Sequence, residues 1–366
     1  MNQPEVVIIG AGVLGLSLAQ HLSSRRISVT IIEREKNYAV HASGKNAGML
    51  RQLYRHPQLT EWAFRSLETL PEGVRLKSFQ RTGSLILGRE VPEHHSELFQ
   101  GRTFAVADGE GGRRVVPAVY TPSDGLLDSK RYCETIFELT DRRYVNCRFL
   151  TTVVGLSKSG SLWETQLGDG TTLRSPWVVN AAGAWINSVF ARDQQHLAVQ
   201  AESFARHLFV IDGWRNGYMP QTGVGYFWDE ASEYYMRLWF GDSRIVSLCD
   251  RVPATPAQFV PETGLITRLA EFLQDRFADQ AQALRLLRSW FCFRTYAEDQ
   301  LPLWGEDPAA SGLFWLAAFG GFGMSTSYAA AADAARHIAG ERSLSLPDFN
   351  PNRARTWESA PEVANY

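Results

Sequence analysis

The chain has 366 residues, 45% of them hydrophobic and 21% charged, and its 37 basic and 39 acidic side chains leave a formal net charge of −2. These values exclude disordered and fibrous classes. With no block of about five or more like charges, they also exclude nucleic-acid binding through a broad basic surface. Cys133, Cys147, Cys249 and Cys292 show no CxxC or Cys/His spacing, so no metal site is expected and a reducing compartment fits. The opening "MNQPEVVIIGAG" lacks a secretory pattern, and no apolar run approaches the roughly 20 residues of a membrane span. A cytoplasmic location is expected, with peripheral membrane association left open.

The wholly apolar run from Val6 to Ile9 is followed by Gly10-Ala11-Gly12-Val13-Leu14-Gly15 and the helix-patterned "LSLAQHLSSRR". A second apolar run, "ISVTII", ends in Glu33, at about the 20-residue spacing of a dinucleotide-binding βαβ unit. Gly10 permits the tight turn. Gly12 lets backbone N–H groups of the helix start, at Val13 and Leu14, approach a pyrophosphate, and Gly15 lets the helix pack on the strands. An acid at position 33 suits an unphosphorylated adenosine ribose, which favours FAD or NAD over NADP.

Downstream, "QLTEWAFRSLETLPEGV" reads as helical and "TGSLILG" as a strand, before a polar, Gly-rich stretch at 101–113. Residues 128–140 read as a helix capped by Asp128 or Ser129. Strand-like "VNCRFLTTVVGL", then "SLWETQL", the turn "GDG" and "TTLRSPWVVNAAGAW" form a small antiparallel meander that returns to an apolar strand. The aromatic segments "RHLFVI", "VGYFWDE" and "EYYMRLWF" read as strands of a second, β-rich domain, followed by a helix in "ETGLITRLAEFLQDRFADQAQAL". Finally "SGLFWLAAFGGFGMSTSYAAAADAARHIAG" repeats the grammar of strand, glycine turn and helix.

Together, "VVIIGAGVLGLSLAQHLSSRRISVTIIERE", "HASGKNAGML", "WVVNAAGAW" and "GLFWLAAFGGFGMSTS" resemble the D-amino-acid oxidase-like family of FAD-dependent oxidoreductases. The part from "FRTYAEDQLPLWG" onward is most similar to the D-arginine dehydrogenase type and less so to glycine oxidases. The resemblance implies an α/β fold in which a Rossmann-like, glutathione-reductase-like FAD domain (1–78, 128–190 and 291–345) is interleaved with an α+β substrate domain. The substrate domain (79–127 and 191–290) is built on a mainly antiparallel sheet, and 346–366 form a tail. It also implies non-covalent FAD, since no cysteine matches the site of covalent attachment.

By the same resemblance, Gly10, Gly12 and Gly15 hold the pyrophosphate, with Glu33 on the adenosine ribose and Arg34 beside it. Ser43, Gly44, Lys45, Asn46, Ala47, Gly48 and Met49 run along the pyrophosphate and isoalloxazine, Ser43 and Lys45 being pyrophosphate partners. The backbone of Val153 meets adenine, and Ala182, Gly183 and Trp185 wall the ribityl chain. Gly320, Gly321, Phe322, Gly323 and Met324 form the loop at the flavin pyrimidine edge, where the N–H groups of a following helix, 324–338, stabilise charge developing near N1 and O2.

Arg294 matches the family arginine that pairs with a substrate carboxylate, a task suited to a guanidinium fork. Tyr54 and Tyr235 match tyrosines of the active site, while Met49 and Arg51 depart from the D-arginine dehydrogenase pattern. A cation at 51 facing the pocket disfavours a cationic substrate. Arg206, His207 and Arg237 are further cations, for which a solvated place is expected.

The implied reaction is oxidation of the C–N bond of a small D-configured or N-substituted amino acid, with hydride passing to flavin N5 and the imine hydrolysing to a 2-oxo acid. Oxygen or a quinone accepts the electrons. "HASGKNAG" also resembles L-2-hydroxyglutarate dehydrogenase-like enzymes, so oxidation of a 2-hydroxy acid is the alternative. A nicotinamide-dependent dehydrogenase does not call for the C-terminal glycine motif, and an RNA-modification oxidase is disfavoured by the absence of basic clusters.

Overall fold

The computed structural model describes residues 3–107, 113–191, 197–214, 224–256, 259, 264–342 and 344–354. Among them, a six-stranded sheet has the order Leu303–Glu306, Leu313–Ala317, Trp177–Asn180, Val6–Ile9, Val29–Ile32, Val145–Arg148. All neighbours are parallel except the antiparallel edge strand Leu303–Glu306. Val6–Ile9 is buried along its whole length, as its unbroken apolar sequence requires of a strand covered on both faces.

The opening helix Val13–Ser23 and the closing helix Gly323–Ile338 pack together on this sheet. His21 Nε2 lies 3.0 Å from the Tyr328 carbonyl, and the Tyr328 hydroxyl donates to Gln20 Oε1 at 3.1 Å. On the far side of the closing helix lies Pro57–Thr69, whose Trp62 donates to Asp333 at 2.9 Å.

The stretch "VNCRFLTTVVGL" does not form one strand. Val145–Arg148 closes the main sheet, and Val153–Ser159 joins Leu162–Leu167 and Thr172–Ser175 in a three-stranded antiparallel meander. The break falls where Leu150 takes a positive φ of 54° and Thr151 N–H donates to the Glu33 carbonyl at 3.0 Å. The helix Ser129–Glu138 begins as expected, with the Asp128 carboxylate accepting the Arg131 N–H.

The second large sheet runs Val252–Pro253, Ala201–Asp212, Arg244–Ser247, Tyr234–Leu238, Tyr226–Asp229, Ser84–Leu87, Arg113–Thr121, Gln100–Ala107, with Arg285–Ala297 also paired to Ala201–Asp212. Its strands are antiparallel apart from the Tyr226–Asp229 and Ser84–Leu87 pair. One face is covered by the helix Gly264–Arg276 through Leu265, Leu269 and Leu273, which is shorter than the helix read from the sequence.

Two expectations change here. The polar, Gly-rich stretch 101–113, given no element in the sequence, is strand at both ends: Gln100–Ala107 pairs in register with Arg113–Thr121, while 108–112 lie outside the described residues. The sheet hydrogen bonds outweigh the weak strand propensity of its glycine and arginines. Residues 346–354 are not a loose tail, because Phe349 is buried and stacks on Trp62 at 5.2 Å; 355–366 lie outside the described residues. Arg285–Ala297 runs across the expected domain boundary at 290/291.

Candidate active site

A cavity of about 1450 Å³, counting its solvent-open mouth, runs between the C-terminal ends of the main-sheet strands and the base of the second sheet. Of the residues singled out in the sequence, Gly10, Gly12, Val13, Leu14, Glu33, Arg34, Ser43, Asn46, Val153, Ala182, Gly183, Trp185, Arg294, Gly320, Gly321, Gly323 and Met324 line it. Glu33 at the tip of its strand accepts the Ala11 N–H at 2.8 Å and the Glu35 N–H at 2.9 Å. Ser43 Oγ accepts the Val13 N–H at the start of the opening helix, at 2.9 Å. Arg34 lies over the Trp185 ring at 4.8 Å, and His41 packs on the same ring at 4.5 Å.

The glycines are sterically required. Gly10 has φ +106°, and a Cβ there would sit 2.5 Å from the Ala181 carbonyl oxygen. A Cβ on Gly15 would sit 2.1 Å from the Gly10 carbonyl, so Gly15 serves helix packing and does not line the cavity.

A second cavity of about 610 Å³ adjoins the first and shares Asn46, Arg294, Gly321 and Met324 with it. Its other walls are Ala47, Gly48, Met49, Arg51, Tyr54, Tyr226, Trp228, Tyr296 and Phe322. Arg51 is buried and lies over the rings of Tyr54 at 4.5 Å and Trp228 at 4.6 Å. Its backbone N–H donates to Ser325 Oγ at 3.0 Å. Tyr54 meets Phe322 edge-on at 5.2 Å, and burial holds its hydroxyl above the usual tyrosine pKa, hence protonated.

Three candidates lie elsewhere. Gly44 and Lys45 line neither cavity; Lys45 is exposed, and its carbonyl accepts from Trp290 Nε1 at 2.7 Å. Tyr235 is fully buried under Trp228, at 5.4 Å between rings, with no hydrogen-bond partner for its hydroxyl, and it also lines neither cavity.

Arg206, His207 and Arg237 are not solvated; all three are buried. Arg206 Nε donates to the Asp250 carbonyl at 2.8 Å, and His207 Nδ1 contacts the Asp250 carboxylate at 2.7 Å. Arg237 donates to the carbonyls of Ala47 and Gly48 at 2.5 and 2.8 Å, and burial lowers its pKa to about 10. These hydrogen bonds replace part of what water would otherwise give them, while Arg206 Nη1 and His207 Nε2 are buried without a partner.

Sequence reasoning missed Asp124, which is fully buried behind the second cavity. It accepts from Ser84 Oγ (2.6 Å), the Tyr226 hydroxyl (2.9 Å) and the Gln52 N–H (3.0 Å). Burial pushes its pKa up to about 7 against the pull of these donors and of Arg51. It sits in a "PSDG" turn that reads as surface loop. Tyr226, Trp228 and Tyr296 were missed as well.

Among the described residues, no group of three or more metal-ligating side chains occurs, and no helix is long and apolar enough to cross a membrane. Residues 5–337 match the family model described as FAD dependent oxidoreductase, DAO. Among solved structures, the chain is similar to L-proline dehydrogenase from P. horikoshii (TM-score 0.78, 18% identity, 96% of this chain and 98% of that one). It is also similar to glycine oxidase from Geobacillus kaustophilus (0.76, 19%, 96% and 99%) and to iminodiacetate oxidase from Chelativorans sp. BNC1 (0.74, 20%, 94% and 98%). Among curated proteins, it is 25% identical over 237 residues to the tRNA 5-methylaminomethyl-2-thiouridine biosynthesis bifunctional protein of Methylobacillus flagellatus, spanning 58% of this chain and 35% of that protein. It is 25% identical over 221 residues to L-2-hydroxyglutarate dehydrogenase of Indibacter alkaliphilus, spanning 52% and 53%. The chain thus aligns with about a third and about half of the length of these two relatives.

Proposed function

The chain belongs to the DAO family of FAD-dependent oxidoreductases, and from that premise we propose that it oxidises the C–N bond of a small D-configured or N-substituted amino acid. The observation that carries this reading is the position of Arg294, which lines both the long cavity and the small aromatic one. A guanidinium there can hold a carboxylate in two parallel hydrogen bonds and so fix the carbon beside it at the junction.

The residues of the long cavity fit FAD. Its glycine turn brings backbone at Gly10 and Gly12 to the cavity wall, Glu33 stands at the far end for a ribose, and the Trp185 indole N–H is buried without a partner. In this reading Gly10, Gly12, Val13, Leu14 and Ser43 hold the pyrophosphate, and Arg34 and Val153 lie at the nucleotide end. Ala182, Gly183 and Trp185 flank the middle, and Gly320 to Met324 present the start of the closing helix to the ring. The main sheet and its helices then form the cofactor part, and the second sheet the roof of the substrate part.

When bound, FAD supplies the acceptor for the two electrons lost as C–N becomes C=N. The protein's own groups orient and exclude water. Arg294 fixes the carboxylate, the rings of Tyr54, Tyr226, Trp228, Tyr296 and Phe322 enclose the side chain, and burial raises the pKa of the Tyr54 and Tyr226 hydroxyls, which keep their protons. Once formed, the imine takes up water and releases the amine and a 2-oxo acid.

Among the described residues, no histidine or carboxylate lines the small cavity. An amine can enter as its free base and needs no proton acceptor of that kind, whereas a 2-hydroxy acid must lose a hydroxyl proton; this favours the amine over the hydroxy-acid reading. The names of the structural neighbours, proline dehydrogenase, glycine oxidase and iminodiacetate oxidase, support the same choice.

The test is an anaerobic screen of the purified holoprotein. D- and L-amino acids, N-methyl amino acids and 2-hydroxy acids are compared for bleaching of the flavin absorbance, followed by oxygen or quinone consumption on each hit. Bleaching by a D-amino acid or an N-substituted amino acid supports the proposal, bleaching by primary L-amino acids alone overturns its stereochemical part, and bleaching by hydroxy acids alone replaces it with the alternative.

A further inference from the structure

We infer that the substrate carries a second carboxylate and that Arg51 is the residue that selects it. This rests on the reading of Arg294 as the holder of the first carboxylate.

Among the described residues, the small cavity has two guanidinium groups in its wall, Arg51 and Arg294, and no acidic side chain. Arg51 is only 7% exposed. Among the described residues, no carboxylate stands within the 4.0 Å of an ion pair with it. The carboxyl that acts on it through space, Asp124, is spoken for by Ser84, Tyr226 and Gln52. With Arg51 buried, Arg294 half-buried and the hydrogen-bonded Asp124 carboxyl behind Arg51, the small space keeps an excess of positive charge, and its cost is relieved when the occupant brings negative charge to both guanidinium groups.

The surroundings of Arg51 suit recognition. The rings of Tyr54 and Trp228 cover the guanidinium carbon and the Tyr54 hydroxyl meets one of its N–H groups, so the group is held in place and the rest of its N–H edge remains for a carboxylate. A lysine in its place would stack poorly and offer no fork. The apolar walls between the two arginines, Met49, Phe322 and Met324 among them, fit a short carbon chain joining two charged ends. A cationic side chain is excluded by the same charges.

The experiment measures ligand binding by calorimetry on the FAD-loaded protein, so that it does not depend on turnover. Malonate, succinate and glutarate are compared with butyrate, for the wild type, Arg51→Met and Arg51→Lys. The best dicarboxylate should bind roughly 30- to 100-fold more tightly than butyrate, in line with one further charged hydrogen-bonded pair. Arg51→Met should erase that ratio and leave butyrate within about threefold, and Arg51→Lys should restore part of it. Equal binding of dicarboxylates and butyrate by the wild type overturns the assignment, as does a preference that survives Arg51→Met. If dicarboxylates bind in an Arg51-dependent way while no amino acid bleaches the flavin, the assignment stands and the amine reading falls. If alanine bleaches it as readily as aspartate or glutamate, and Arg51→Met leaves both unchanged, the amine reading stands and the assignment falls.

Discussion

Glu33 holds the Ala11 N–H at 2.8 Å, so the acid at the tip of one strand is tied to the glycine turn of the next. One carboxylate oxygen organises the turn and the other faces the Glu35 N–H, which pre-sets the side chain before any ribose reaches it. Glu33→Ala should weaken FAD binding about 10- to 100-fold, the size of one or two charge-assisted hydrogen bonds. Titrating the apoprotein with FAD and following flavin fluorescence measures this; an unchanged affinity would remove Glu33 from the cofactor site.

Arg294→Lys keeps the positive charge and loses the fork. If Arg294 positions the substrate, kcat/KM should fall by about 100-fold or more, with FAD content and Tm close to wild type. Rapid-reaction flavin bleaching separates binding from the chemical step. A loss confined to FAD content would instead make Arg294 a cofactor residue.

Gly320 has φ +46°, and a Cβ there would lie 2.1 Å from Tyr296 Cε1. Gly320→Ala should cost about 1–3 kcal/mol in stability and displace Tyr296 from the wall of the small cavity. The expected signature is a lower denaturation midpoint together with a raised KM.

Arg237 was expected in solvent and instead braces the carbonyls of Ala47 and Gly48. Arg237→Met fills similar space but takes the donor from the Ala47 carbonyl, at about 1–3 kcal/mol, while the Gly48 carbonyl keeps the Leu127 N–H at 2.9 Å. Chemical denaturation should register that loss. Because these carbonyls precede Met49 and Arg51, ligand binding in the small cavity should weaken as well.

Asp124 gives a pH signature. Its carboxyl is raised from 3.8 to about 7, so the folded protein holds this proton where the unfolded chain has lost it. The group therefore subtracts stability as pH climbs from about 4 to 7; below that window it has no effect, and above it the full penalty is present. Asp124→Asn should gain stability relative to wild type with rising pH, by at most about 4 kcal/mol at pH 8 compared with pH 4, at 1.36 kcal/mol per pH unit. His21, lowered to about 4 mainly by burial, works in the opposite direction in both proteins and cancels in the comparison. A difference between the two proteins that does not change with pH would show that Asp124 titrates normally.

The nucleotide end of the site was legible because its chemistry is carried by backbone and spacing. A four-residue apolar strand, a glycine turn and an acid at a set distance leave a pattern independent of distant contacts. The substrate end was not legible, for two physical reasons. In Tyr226–Asp229 and Tyr234–Leu238 both faces carry aromatic or apolar residues and both are buried, so alternation gave no inside or outside. Tyr226 therefore went unremarked, while Tyr235, on the same face as Arg237, proved to lie beneath Trp228. Burial of Arg206, His207 and Arg237 depends on partners such as Asp250 and the Ala47 carbonyl, more than 40 residues away in each case, and no local window contains them. Lys45 shows the converse: a motif position whose side chain points to solvent.

The pairing of the opening and closing helices has a consequence for biogenesis. His21 and Gln20 meet Tyr328 across some 300 residues of chain, and the central strand Val6–Ile9 reaches Leu313–Ala317 only through Trp177–Asn180. During synthesis the first glycine turn leaves the ribosome early, but the second wall of its cavity is made last. On the cofactor placement proposed above, a nascent chain offers only the nucleotide half of the FAD site until about residue 340 has emerged. Contacts this distant in sequence form slowly, and a ligand that binds only the completed fold draws the equilibrium toward it. FAD supply during growth should therefore set how much of this protein a cell accumulates, as well as how much of it is active.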